Sequence, residues 1–177
     1  MTVNIAAESD RRESGGTESL ALDVGLLVLR VCFGGLLLVH GSQKLFGWFN
    51  GQGWYQTTEG FQRMGYHPGK LFGTLAGLCE FTGGTLLLLG LLTPLGAAIA
   101  IGTMINAMNV TWHHGLSGYE EALLFAAAAA TLGFTGPGRF SLDHGRPWAR
   151  RGLAWGIGAV VLAVVAAVIT LAIKWAL

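Results

Sequence analysis

Charge is what this sequence has least of. Asp, Glu, Lys and Arg make up 12% of its 177 residues, against roughly 25% in ordinary soluble domains. That excludes a soluble enzyme, and 52% hydrophobic content with mean hydropathy +0.53 excludes a disordered chain. Cysteine is nearly absent. Cys32 and Cys79 both sit in apolar runs, which leaves neither a disulfide framework nor zinc-ligand spacing. Net charge is +1 with no basic block, so the electrostatic footprint of a nucleic-acid binder is missing. What is plentiful is glycine, 28 residues, which membrane helices tolerate better than soluble ones.

Apolar runs near the ~20 residues that a bilayer crossing requires occur five times. They are Leu20–Phe46, Leu71–Leu92, Leu95–Trp112, Tyr119–Phe134 and Leu153–Leu177. Thr93-Pro94 separates the second from the third, because proline cannot continue a helix. Gly136-Pro137-Gly138 stops the fourth, which is short enough to tilt or re-enter. The expectation is an all-α integral membrane protein. A four-helix transmembrane bundle over 20–147 is joined by a fifth C-terminal transmembrane helix within 148–177. Residues 1–19 are polar and aperiodic and read as a disordered cytoplasmic tail. Arg11-Arg12 invites a twin-arginine reading, but the apolar run that follows is too long for a signal peptide and no small-residue cleavage site follows it.

Orientation follows from basic residues in the flanks. Arg11, Arg12, Arg139, Arg146, Arg150 and Arg151 fall on one side; Arg63, Lys70, Lys174 and Lys44 fall on the other. This places the N-terminus of the multi-pass chain in the cytoplasm. Trp48, Trp54, Trp112 and Trp175 then mark the outer interface, Trp148 and Trp155 the inner one. The aromatic-rich segment 47–69 reads as an interfacial helix that could cover a pocket mouth. The arginines of 139–151 would face anionic lipid, with Ser141-Leu142-Asp143 as a cap or turn.

An ionisable residue inside a membrane is a functional candidate by default. Arg30, His40 and Lys44 fall on one helical face, with Gly34 and Gly41 nearby to admit a neighbour. Glu80 lies mid-helix among Gly73, Gly77, Gly83 and Gly84. Asn106, Asn109 and His113 line one face of the third span. The candidate catalytic residues are Glu80 and His40; the candidate ligand-binding residues are Arg30, Lys44, Asn106, Asn109 and His113; no metal set is expected. Together they predict a wet pocket in the outer half of the bundle. Structural readings stand beside the functional ones. Glu80 with Arg30 or Lys44 makes a neutral pair that fixes register. Glu120 and Glu121 cap a helix start; His113 and His114 are solvated; the asparagines are interhelical glue. Cys32 and Cys79 lie at similar depth, but their helical angles argue against a dithiol.

Three motifs carry a family resemblance: LR-x3-G…HG-x2-KLFG at Leu29–Gly47, E-x2-GG-x-LLLLGLLT at Glu80–Thr93, and GPGRFSLD at Gly136–Asp143. Their order and spacing resemble the DoxX family of small bacterial membrane proteins, whose polar positions match Arg30, His40, Lys44 and Glu80. The fifth helix departs from the four spans typical of that family. The resemblance implies association with thiosulfate:quinone oxidoreductase subunits. In actinobacteria it implies a membrane oxidoreductase complex that works with superoxide dismutase and a sulfurtransferase. Three functions stay open. One is a redox subunit with a quinone pocket, menaquinone or ubiquinone. The second is a non-catalytic assembly subunit that docks other protein subunits, and the third is a small carrier, although no inverted repeat supports it.

Overall fold

The computed structural model describes the backbone of residues 5–176 and the side chains of 16 and 18–176. The chain is all helix among the described residues. Helices α1 (Ile5–Leu29) and α2 (Gly35–Phe46) join through a π-helical turn at Arg30–Gly34 into one rod. A short α3 (Gly53–Arg63) follows, then α4 (Gly69–Leu89), α5 (Thr93–Thr111), α6 (Leu116–Thr135) and α7 (Leu153–Ala176). Of the tail expected to be disordered, residues 1–4 and the side chains of 5–15 and 17 lie outside the described residues.

Among the described residues four helices are long and apolar enough to cross a membrane: Glu18–Phe46, Gly69–Leu89, Thr93–His114 and Leu153–Ala176. The protein is a multi-pass integral membrane protein. α6 is the exception to the five expected spans. Its 20 residues carry Glu120 and Glu121 early, beside Ser117, Gly118 and Tyr119. At 1.5 Å per residue it is still about 30 Å long, and it packs along α5 more extensively than any other pair of helices. The rod, α4, α5 and α6 form the bundle, and α7 lies outside it against α5 and α6. Successive helices alternate in direction, so α1 enters at one end (here the near end) and α7 leaves at the other. Lys174 there lies over the Tyr66 ring at 4.1 Å from its centroid.

Lipid is as apolar as leucine, so membrane helices associate by close packing more than by water exclusion. The rod and α4 meet at four glycines, Gly34 and Gly41 against Gly77 and Gly84, each pair seven residues apart. A methyl group on Gly34 would lie 2.6 Å from the Leu88 amide nitrogen. On Gly41 or Gly84 it would strike the backbone of Phe81 or Leu38. Backbone thus rests on backbone along this seam. α7 uses the same device more gently. Ala159, Ala163 and Ala167 recur every fourth residue on its buried face, and Gly102 of α5 receives the Ala163 carbonyl.

The near end is closed by the loop after α6. Arg30, 1% exposed, donates from Nη2 to the Phe140 carbonyl at 2.5 Å and lies in the field of the Asp143 carboxylate. Asp143 accepts from the Leu92 and Thr93 amides, the Thr93 hydroxyl and the Trp148 indole at 2.9–3.1 Å. It caps the start of α5 from 50 residues away, satisfying amides that no helix carbonyl can reach. The turn expected at Ser141–Asp143 is this cap.

Substituting Gly41 or Gly84 by alanine should lower stability by ~1–3 kcal/mol, the usual cost of overpacking. Gly25→Ala and Gly35→Ala, which meet nothing within 4 Å, should be neutral or stabilising. Thermal unfolding of the four variants in mild detergent measures the difference.

Candidate functional site

The glycine seam decides what happens to the charges. Arg30 and Lys44 do share the rod's α4-facing side, as their spacing predicts, but Arg30 meets α4 at its C-terminal end and Lys44 meets it at its middle. Arg30 lies beside Gly90, whereas Lys44 reaches Glu80 with its ammonium at 2.7 and 2.5 Å from the two carboxylate oxygens. Glu80 is 4% exposed and Lys44 is 30% exposed at its side chain. Of the two partners open to Glu80, the fold selects Lys44. A carboxylate so buried needs this partner, since an unpaired charge there costs several kcal/mol.

His40 turns away from α4. Its ring packs 5.6 Å from that of Phe125 on α6, and Nε2 lies 3.7 Å from Glu121 Oε1. Glu121 therefore faces the rod at the start of α6. His40 and Lys44 come together again at the wall of a polar pocket of about 440 Å³ at the far end. Gln43, Gln52, Thr57 and Phe61 complete the wall. α3 covers it, held on one side by the Trp54 indole donating to the Thr74 hydroxyl at 2.7 Å. Segment 47–69, read as an interfacial helix, contains the helix α3.

The third span does not join this pocket. Asn106 faces a separate cavity of about 240 Å³ between α4, α5 and α7. Its Nδ2 donates to the Gly102 carbonyl at 3.0 Å, while its Oδ1 is buried without a partner. Asn109 is exposed, and His113 is exposed with its ring 4.0 Å from that of His114. The single outer pocket expected from the sequence is thus two compartments with Phe61 lining both. Cys32 and Cys79 are both free, Cys32 exposed and Cys79 in the wall of the second cavity. Among the described residues no cluster of three metal-binding side chains exists. Tyr66 also lines the second cavity, 1% exposed, and burial pushes its hydroxyl above the ordinary tyrosine range. Nothing in its sequence neighbourhood marks it out.

Comparison with known proteins agrees with this geometry at the family level. The DoxX family model matches residues 25–115, just over half of the chain. The chain belongs to the DoxX family. It is 32% identical over 137 residues to the uncharacterized membrane protein Rv3486 of Mycobacterium tuberculosis, covering 67% of this chain and 79% of that protein. No solved structure gives a significant match. The matched region takes in Arg30, His40, Lys44, Glu80, Asn106, Asn109 and His113; the loop at Gly136–Asp143 and α7 lie beyond it.

Lys44→Met or Glu80→Gln alone should destabilise the protein by about 2–4 kcal/mol, each stranding a charge. The double variant Lys44→Met/Glu80→Met should recover to within ~1 kcal/mol of the parent, because a matched apolar pair substitutes well for a buried ion pair. Unfolding in detergent, run as a double-mutant cycle, measures the coupling. Asp143→Ala should cost a further ~2–3 kcal/mol through the amides it leaves unsatisfied, read by the same assay.

Proposed function

We propose that the chain is a small subunit of a membrane redox complex, with a far-end pocket that takes the polar head of a quinone, menaquinone or ubiquinone. The observation that carries this reading is the Lys44–Glu80 pair beside a pocket of quinone-head size. Quinone oxygens only accept hydrogen bonds, so their site must donate. Lys44 has three N–H donors and spends two on Glu80, leaving one for a ligand oxygen. His40 offers a ring N–H from the same wall, and Gln43, Gln52 and Thr57 can position the ring edge. A bound quinone would supply the two-electron chemistry, with electrons from partner subunits. The chain's own contribution is to bind, orient and exchange protons. Glu80, behind Lys44, holds the ammonium in place at the pocket wall.

The side facing the cytoplasm follows from charge. Arg139, Arg146 and Arg150 at the near end each lie over an aromatic ring, Phe140, Trp148 and Trp155, at 5.4–5.8 Å. A basic, aromatic-anchored rim favours the cytoplasmic leaflet and supports a reading with the N-terminus inside and the pocket toward the outer leaflet of the bacterial plasma membrane.

Protein purified in mild detergent and extracted into solvent should yield near-stoichiometric quinone by mass spectrometry. Glu80→Gln and His40→Ala should deplete it at least ~fivefold, the loss expected for one hydrogen bond. Quinone at detergent background in all three samples would favour the assembly reading instead, with the charge pair as a structural pin.

A further inference from the structure

The second cavity has its own chemistry. α4 and α7 flank α5 and scarcely touch each other, so the space between them opens sideways in the membrane. Its walls are apolar. Leu75 and Ala76 come from α4, Ile99 from α5 and Ala166 from α7. Phe61, Tyr66 and Phe72 close its far end in edge-to-face contact, with ring centroids at 5.4 and 5.3 Å. At about 240 Å³ it exceeds the ~150 Å³ cavity that takes up benzene in an engineered protein.

Two buried polar atoms on this wall have no partner: the Tyr66 hydroxyl and Asn106 Oδ1. The orientation of the Asn106 amide is fixed, because the Gly102 carbonyl only accepts and so takes the Nδ2 side. Asn106 therefore presents an acceptor to the cavity. Leaving such groups unpaired away from water is costly. A saturated lipid chain gives neither of them anything, and a ketone or ether gives nothing to Asn106.

We propose that this cavity is a binding site for a lipid-soluble phenol, a ring that fills the apolar space and carries a hydroxyl that donates to Asn106 Oδ1. The Tyr66 hydroxyl supplies the second polar contact. The aromatic end wall suits a ring, and lateral access suits a ligand that partitions into the bilayer. The site is independent of the far-end pocket, since none of His40, Lys44 and Glu80 lines it.

The test uses the full chain in phosphatidylcholine vesicles, photolabelled with a diazirine-bearing 4-alkylphenol. Competitors are 4-butylphenol and its methyl ether, 4-butylanisole. Label is expected on the peptides carrying Cys79, Thr103 and Thr170, displaced by the phenol at about a fivefold lower concentration than by the ether, the worth of one hydrogen bond. Asn106→Leu should erase the phenol–ether difference. Tyr66→Phe, which keeps the ring packing, should weaken displacement by the phenol about threefold, as loss of a neutral hydrogen bond does. If Asn106→Leu fails to fold, the phenol–ether comparison in the parent and the Tyr66→Phe variant still decide. Label spread evenly over the lipid-facing helices, or equal displacement by phenol and ether, would overturn the proposal and leave lipid chains as the occupant. Quinone content does not enter this assay, so its outcome is separate from that of the far-end reading.

Discussion

Everything at the far end of this protein depends on how closely the α1–α2 rod can approach α4. Gly34, Gly41, Gly77 and Gly84 remove the side chains that would hold the two backbones apart. Lys44 is thereby brought within hydrogen-bond reach of Glu80, whose carboxylate is too buried to be left alone. The dependence is mutual. Close packing gives van der Waals attraction along the seam, and the ion pair fixes its register, since sliding the helices past each other would part the charges. The same economy of side chains recurs where α7 meets α5, with alanines in place of glycines.

The two ends of the bundle use their charges differently. At the near end, Arg30 and Asp143 are almost wholly buried, and Asp143 spends its oxygens on backbone and side-chain donors that close a loop over α4 and α5. That arrangement holds structure together. At the far end, Lys44 is partly exposed in the wall of a pocket, His40 shares the wall, and α3 covers the opening. The near end also has a space, about 660 Å³ beside Asp23, Arg139 and Asp143, but there the Asp143 oxygens are taken up by donors of the fold itself. At the far end Lys44 keeps an N–H free of Glu80, and that difference is why a ligand is proposed there.

Much of this was legible in the sequence, for identifiable reasons. Hydropathy located the helices because a bilayer tolerates little else. Helical spacing put Arg30 and Lys44 on the face that meets α4, and the family motifs fell on the charged positions. α6 read as a span although Glu120 and Glu121 lower its apolar character below that of the four helices long and apolar enough to cross a membrane. Spacing could not say which cation takes Glu80, because that depends on the seam's register and not on either helix alone. Nor could it show that His40 turns toward α6 or that Asn106 faces a cavity apart from Asn109 and His113. Those outcomes rest on which neighbour stands beside each helix. Asp143 reaches Thr93 across 50 residues, and Tyr66 lies in a loop with no periodicity to read.

The account's central claim is that the Lys44–Glu80 pair forms a ligand site and does not merely pin two helices together. Trp48 precedes α3 and Trp54 lies in its first turn, close to the pocket, and quinones quench indole fluorescence. The most direct measurement is a fluorescence titration with a short-chain quinone, comparing the parent with Lys44→Met/Glu80→Met, whose packing should be intact. The account predicts saturable quenching in the parent and only linear, collisional quenching in the double variant. Identical titrations for the two proteins would contradict it.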